Sequence, residues 1–523
     1  MPEEVFVRSI YDKMLEWKLE WSDGYALLIK GARRVGKSTA VREFARREFR
    51  TAMVIDFYSP RPGTLEVFEM YWNDYGRLFT ELQAIYSIDL YEGESVVVFD
   101  EVQRYPRARE MIKGLVEDGR YRYIETGSLI TLSCASAGIM IPSEEYRVDM
   151  HPMDFHEFCI AMGESRKWEL AKEGFDRMEP VGAVHKELME IYKTYMVVGG
   201  MPQAVARFKK TRRYSDVEKV KDGILSLYHE DLAKIPVNGG NAAKRIFDLV
   251  PSMLSRHEKR FRPGGVKKGS RTSDYLDSIM WLKDSRICNV CMEIRDLQAA
   301  LDLTADETSL KCYLLDTGLL LTQAFNERVL ERDDVRGAFV RGRLGMNEGM
   351  LFENSVAQEL VSCGIDLRFS RFYTDDKHVG EVDFVVGGRR PVPIEVKSGN
   401  SSRHASLDRF MERNAGRVGK AYVIHAADLR IDGPLTYLPA YMAGMLGRSL
   451  SGDVSVDDAT YFSLGHRMTR FNWLNVCIPG SGNQGRLVAQ MNSNSFAVTI
   501  SRTVTRSVFM AAASLKAASQ RVT

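Results

Sequence analysis

The 523-residue sequence predicts an α/β fold built on a parallel sheet, and three observations carry that expectation. Apolar runs of strand length occur at Tyr25–Ile29, Ala52–Ile55, Ser95–Phe99 and Tyr121–Ile124. Helical stretches lie between them, the clearest over Ser38–Phe49. The first run opens onto a glycine-rich turn and the third onto two carboxylates. Strands that alternate with helices in this way pair in parallel and are covered on both faces.

Taken in order, residues 5–20 space Val5, Ile10, Met14 and Trp17 as an amphipathic helix. After the four runs, residues 164–235 are mostly helical, interrupted by the turn signal Gly199-Gly200-Met201-Pro202. Residues 241–284 are again helical, broken by the basic loop Arg260–Arg271. Short runs at Ile287–Met292 and Cys312–Leu315 follow, and helices followed by a small hairpin suggest a winged-helix-like module. Residues 350–447 form a further α/β segment with strands expected at Val382–Val386, Val392–Val396 and Ala421–Ile424. Beyond about Arg448 the texture changes. After Asp458 no Asp or Glu occurs, while seven Lys or Arg lie among Ser, Thr and Asn. That composition reads as an atypical, poorly ordered tail, or as a sequence not descended from the same gene frame.

Composition bounds the rest. The length implies two to four domains, and 45% hydrophobic with 27% charged residues suits a soluble globular chain. A formal net charge of +2 argues neither for nor against nucleic acid. Seven cysteines without a framework suit a reducing cytosol. The lone C-x-x-C at Cys288 and Cys291 reads as a buried strand rather than a zinc site, because no second pair accompanies it. No apolar run reaches the length a membrane helix needs, and no signal peptide is apparent, so a cytoplasmic protein with no membrane partner is expected.

The glycine-rich turn carries the chemistry. Gly31-Ala32-Arg33-Arg34-Val35-Gly36-Lys37-Ser38, followed by Thr39, matches G-x-x-x-x-G-K-[ST] between a strand and a helix. Its backbone N–H groups would converge on phosphate oxygens, aided by the helix N-terminus. Lys37 would reach the β- and γ-phosphates of ATP, and the Ser38 hydroxyl would ligate Mg²⁺. The hydrophobic run Val96–Phe99 ends in Asp100 and Glu101. Asp100 is placed to hold Mg²⁺ through water, and Glu101 to activate the attacking water. Thr126-Gly127-Ser128 follows the next strand, with Thr126 or Ser128 as sensor of the γ-phosphate and a plain turn as the alternative. An arginine completing the site is not singled out: Arg147, Arg33, Arg34 and Arg104 are all candidates.

These segments resemble those of prokaryotic AAA-type ATPases joined to a C-terminal region called domain of unknown function 4143. The resemblance runs from about residue 5 to 445. It rests on Ile10-Tyr11-Asp12-Lys13, the P-loop, Phe99-Asp100-Glu101-Val102-Gln103 with Pro106, and Thr126-Gly127-Ser128. Pro152-Met153-Asp154-Phe155 with Glu157-Phe158, Gly199–Pro202, Leu315-Asp316-Thr317-Gly318-Leu319 and Ile394-Glu395-Val396-Lys397-Ser398 extend it. It implies a P-loop NTPase fold and ATPase chemistry, with ring-forming relatives in which one subunit's arginine completes a neighbour's site. The chain is thus expected to comprise an ATPase domain over 1–164, a helical and winged-helix-like region over 165–330, a third domain over 331–447 and the tail 448–523. Tyr228-His229-Glu230-Asp231 is read as structural, a contact with the ATPase domain.

The third domain is similar to the PD-(D/E)xK nuclease core, a restriction-endonuclease-like α/β fold. Glu353 lies on a helix, Asp383 at one strand, and Glu395 and Lys397 two apart on the next, where they face one side. Three carboxylates at this spacing would bind Mg²⁺, with Lys397 assisting the phosphate or the water. The alternative is a nuclease-like body that binds a protein partner without catalysis. Between the two sites, Arg256–Arg271 carries seven Lys or Arg against one Glu, with Phe261 interleaved. That density suits double-stranded DNA, a solvated loop being the bland reading.

Overall fold

The computed structural model describes residues 5–128, 142–233, 240–256, 258–297, 301–325, 348–373, 379–399 and 404–452, together with three strands near the C-terminus. A first compact unit spans Met1–Asp453 and a second Val454–Thr523. In the first unit the expected parallel sheet is present. Its strands are β1 (Ala26–Gly31), β2 (Thr51–Asp56), β3 (Ser95–Asp100), β4 (Arg122–Ser128) and β5 (Glu145–Asp149), in the order β2-β3-β4-β1-β5. Every pairing is parallel. Strand β3 is buried along its whole length, as its β-branched run on both faces demands.

Helices follow the chain as α1 (Ile10–Glu16), α2 (Lys37–Glu48), α3 (Thr64–Met70), α4 (Tyr75–Tyr86), α5 (Pro106–Glu110) and α6 (Ile112–Asp118). The helical middle continues with α7 (Phe155–Met162), α8 (Ser165–Arg177), α9 (His185–Val198), α10 (Pro202–Thr211), α11 (Tyr214–Ala233), α12 (Gly240–Leu254) and α13 (Leu276–Asp284). Helix α7 opens with a capping box in which Asp154 and Glu157 satisfy each other's backbone N–H groups. The helix expected over residues 5–20 starts later, at Ile10, and closes in a π-helical turn over Trp17–Trp21.

The hairpin expected as a wing is wired differently. Strands β6 (Cys288–Ile294) and β7 (Ala305–Leu314) pair antiparallel, and β6 also pairs in parallel with β8 (Arg368–Tyr373), which pairs with β9 (Val379–Val382). Every residue of β6 is buried, so this strand takes neighbours on both edges. Cys288 and Cys291 lie in it as buried free thiols. A third sheet has the order β10-β11-β12-β14-β13, with β10 (Phe384–Val386), β11 (Val392–Val396), β12 (Ala421–His425), β13 (Arg430–Asp432) and β14 (Leu435–Pro439). The single strand expected at Val382–Val386 is broken at Asp383, where the chain passes from the second sheet to the third.

Helices α14 (Thr317–Ala324), α15 (Glu348–Ser362), α16 (Ala405–Arg413) and α17 (Ala443–Ser451) complete the unit. Helix α15 is buried from Met350 to Leu360 although half of that stretch is polar. Each polar group is answered: Asn354 accepts from Leu314 N at 2.8 Å, Gln358 from Thr317 N at 2.9 Å, and Ser355 from the Tyr192 hydroxyl at 2.9 Å. Helix α17 runs past the boundary expected at 447, because Arg448 reaches back to Asp154 at 3.1 Å and is itself two-thirds or more buried. The boundary expected at 330/331 falls outside the described residues.

In the second unit, the segment expected to be poorly ordered contains an antiparallel meander of β15 (Trp473–Val476), β16 (Leu487–Asn492) and β17 (Ser495–Thr499). The rest of that segment lies outside the described residues.

Candidate functional site

The P-loop turn depends on two glycines. At Gly31 a Cβ would stand 2.3 Å from the Met150 carbonyl oxygen, so only glycine lets β1 end against that backbone. Gly36 adopts φ +99°, the left-handed conformation that turns the chain into α2. Beside this turn lies a cavity of about 410 Å³. Arg33, Arg34, Gly36, Lys37, Ser38 and Thr39 form one wall, and Asp100 and Glu101 at the end of β3 form another. Val5 and Phe6 from the N-terminal segment and Pro202, Gln203 and Ala206 from α10 also line it.

Lys37 is buried, and its ammonium donates to the carbonyls of Gly31 and Ala32 at 3.0 Å each. Burial depresses its pKa to about 8, against the pull of Glu101 and Asp100. The Ser38 hydroxyl donates to Asp100 Oδ1 at 2.7 Å. Thr126 donates to the same oxygen and accepts from Glu101 N at 3.2 Å. Glu101 has φ +55°, and its carboxylate accepts from Gln103 Nε2 at 2.6 Å. Ser38 and Asp100 together present oxygens of the kind Mg²⁺ takes, a hydroxyl and an adjacent carboxylate on the cavity wall, so the residues fit that ion.

Thr126 is fully buried behind Asp100 and reaches the cavity only through Asp100 and Glu101. Ser128 is buried, pairs in register with Gly31 and is not among the residues that line the cavity. Of the arginine candidates, Arg34 lines the cavity and is exposed, and Arg33 lines it while paired with Asp231 at 3.1 Å. Arg147 is paired with Glu145 at 2.9 Å, and Arg104 lies over the Tyr58 ring at 5.1 Å. The expected contact of residues 228–231 with the ATPase domain is present, since the Tyr228 hydroxyl donates to Arg33 O at 2.8 Å.

Two arginines escaped sequence reasoning. Arg42 lines the cavity and pairs with Asp100 at 2.9 Å. It lies one helical turn beyond Ser38, a period that could have signalled it. Arg8 gave no signal: it donates to Val35 O at 2.8 Å, to His151 O at 2.6 Å and to Glu157 at 2.9 Å, and so braces the P-loop against the α7 capping box.

The depressed Lys37 value sets a pH dependence. If Lys37 holds phosphate as the motif implies, its ammonium must be charged to do so, and bound phosphate raises its pKa, so binding takes up a proton above the free value. ATP affinity is therefore expected to be level below pH 8 and to fall about tenfold per pH unit above it. Fluorescence titrations with an ATP analogue at pH 7, 8 and 9 check this; a level affinity to pH 9 would refute it.

The C-terminal constellation is arranged otherwise than the spacing suggests. Lys397 pairs with Glu395 at 2.6 Å, and Asp383 accepts from Val396 N at 2.8 Å. Glu395 is buried with Oε2 lacking a hydrogen-bond partner, and burial beside Asp383 pushes its pKa up to about 7. Glu353, however, is taken by Lys259, by Lys311 at 3.3 Å and by the Tyr313 hydroxyl. Lys311 also lies 2.7 Å from Glu381 and 3.9 Å from Asp383. Among the described residues no group of three His, Cys, Asp or Glu side chains is placed to hold a metal. Glu353, Asp383 and Glu395 as arranged do not fit a divalent ion, because the Lys311 ammonium lies within reach of both Glu353 and Asp383 and Glu395 is paired with Lys397.

Parallel sheet, P-loop turn and paired acids together define a P-loop NTPase-like fold. Residues 23–159 match the family described as AAA domain, 189–328 the domain of unknown function DUF8612, and 348–440 the domain of unknown function DUF4143. The chain therefore carries an AAA-type ATPase domain followed by a DUF4143 region, and the middle matches a family of its own. No curated protein matches the chain. Loose likenesses include a Drosophila ORC structure bound to DNA, 11% identical with TM-score 0.25, covering 58% of this chain and 90% of that one. Another is Cdc6p from Pyrobaculum aerophilum, 14% identical with TM-score 0.24, covering 66% and 97%. No described helix is long and apolar enough to cross a membrane.

Proposed function

We propose that this protein hydrolyses ATP with Mg²⁺ and that its nucleotide state controls the C-terminal half, which binds a partner without cleaving it. The observation that carries the reading is that one cavity brings Lys37, Ser38, Asp100 and Glu101 together. Lys37 would grip the β- and γ-phosphates, and the Ser38 hydroxyl and the Asp100 carboxylate would hold Mg²⁺. The Mg²⁺ supplies charge neutralisation on the phosphates. Glu101, oriented by Gln103 and by its backbone bond to Thr126, draws the proton from the attacking water. The setting is cytoplasmic.

Duplex DNA is the partner this reading favours, through the basic segment 256–271. Arg256, Lys267, Lys268 and Arg271 are exposed there, whereas Lys259 is engaged with Glu353 and Arg262 with Glu258. Phosphate release from ATP, measured with and without duplex DNA, tests it. Stimulation that disappears in Lys267→Ala/Lys268→Ala/Arg271→Ala is the expected result. Turnover indifferent to DNA shifts the partner to a protein, and no turnover at all would leave at most a nucleotide-binding switch.

A further inference from the structure

We propose that Lys311 and Lys259 stand in for a divalent cation in the C-terminal carboxylate cluster, making it a metal-independent anchor rather than a metal centre. Lys311, on β7, has no exposed side-chain surface, and it faces Glu381 at 2.7 Å, Glu353 at 3.3 Å and Asp383 at 3.9 Å. Its ammonium also lies 4.8 Å from the centre of the Phe369 ring. Lys259, from the basic segment, meets the other oxygen of Glu353. Three carboxylates against two ammonium groups leave one net negative charge, the same balance that three carboxylates would have around one divalent ion.

The geometry separates the two arrangements. A Mg²⁺ draws oxygens to about 2.0–2.1 Å in an octahedral shell, whereas an ammonium holds them at hydrogen-bond distance in a wider ring. A metal entering here would have to displace a buried ammonium and stand beside a second one, at a Coulombic cost that a low-dielectric interior enlarges. The carboxylates come from α15 and from the β9–β10 passage, and the lysines from β7 and the basic segment. The cluster thus ties four parts of the chain together with no ion bound. It rests on the non-cleaving reading of the C-terminal half and gives that reading its chemistry.

The test is Mn²⁺ uptake by the nucleotide-free full chain, followed by electron paramagnetic resonance. The wild type is expected to take up no Mn²⁺ that Asp383→Asn removes. Lys311→Ala is expected to gain about one Mn²⁺ per chain, lost again when Asp383→Asn is added. Wild-type uptake that Asp383→Asn abolishes would overturn the proposal, as would a folded Lys311→Ala that binds no more than wild type. If Lys311→Ala does not fold, the thermal midpoint of nucleotide-free wild type decides. A midpoint equal in EDTA and in Mn²⁺ supports the proposal, and one raised by Mn²⁺ only while Asp383 is intact refutes it. Cleavage of duplex DNA by a wild type that binds no Mn²⁺ at the cluster would sink the non-cleaving reading alone.

Discussion

Glu101→Gln is expected to keep ATP affinity within a fewfold of wild type while lowering turnover by about 10²–10⁴-fold, the usual contribution of a positioned general base. The substitution is nearly isosteric. Its amide oxygen can still accept from Gln103 Nε2, and the backbone bond from residue 101 to Thr126 does not depend on the side chain. What disappears is the acceptor for a proton from water. Lys37 keeps its bond to Gly31 O and Ser38 its bond to Asp100, so the proposed grip on phosphate and on Mg²⁺ is preserved. Single-turnover phosphate release beside an equilibrium affinity for ATP separates the two effects. A parallel fall in affinity and turnover would mean that Glu101 holds the nucleotide rather than activating water, and the assignment would fail.

Arg8→Ala carries the second large effect, this time on stability. Arg8 and Glu157 are both nearly buried, and the guanidinium spends its donors on Glu157, Val35 O and His151 O. Truncation strands a buried carboxylate, a loss of about 3–5 kcal/mol when one partner of a buried pair is removed. Burial already lifts the Glu157 pKa, and without Arg8 the group would protonate more readily, which softens the loss. Arg8→Ala/Glu157→Gln should therefore recover part of the stability, since the glutamine still accepts from Ser9 N, now 2.6 Å from the carboxylate. ATP binding should stay impaired in both variants, because Val35 O loses its brace. Denaturant unfolding and ATP titration on the two chains check this. Equal stability of Arg8→Ala and wild type would refute it.

The candidate nucleotide site was legible where its parts are contiguous. A P-loop and an acid pair at a strand end are local patterns, and Lys37, Ser38, Asp100 and Glu101 lie together as their residue types imply. The rest of the lining was not legible, since Pro202, Gln203 and Ala206 come from α10 and nothing local marks them as sharing a cavity with the P-loop. The C-terminal cluster shows the opposite failure. Glu353 and Asp383 were readable from spacing, but Glu381 was not, and the charge partners sit on β7 and in the basic segment, where Lys259 reads as one more solvated cation. The wing expectation misjudged β6 for a related reason. Cys-Asn-Val-Cys-Met-Glu-Ile has no alternation, and a strand buried on both faces belongs inside a sheet.

That inner position of β6 has a consequence for synthesis. Strand β7 can zip onto β6 almost as soon as both have left the ribosome, but the other edge of β6 waits for β8, which begins only at Arg368. At ordinary translation speeds the nascent chain holds that edge unpaired for roughly 4–15 s. An uncovered apolar strand is an invitation to a neighbouring polysome's chain. A transcript truncated between the two strands would make that exposure permanent, so release of the shortened polypeptide should end in inclusion bodies rather than in a free ATPase half.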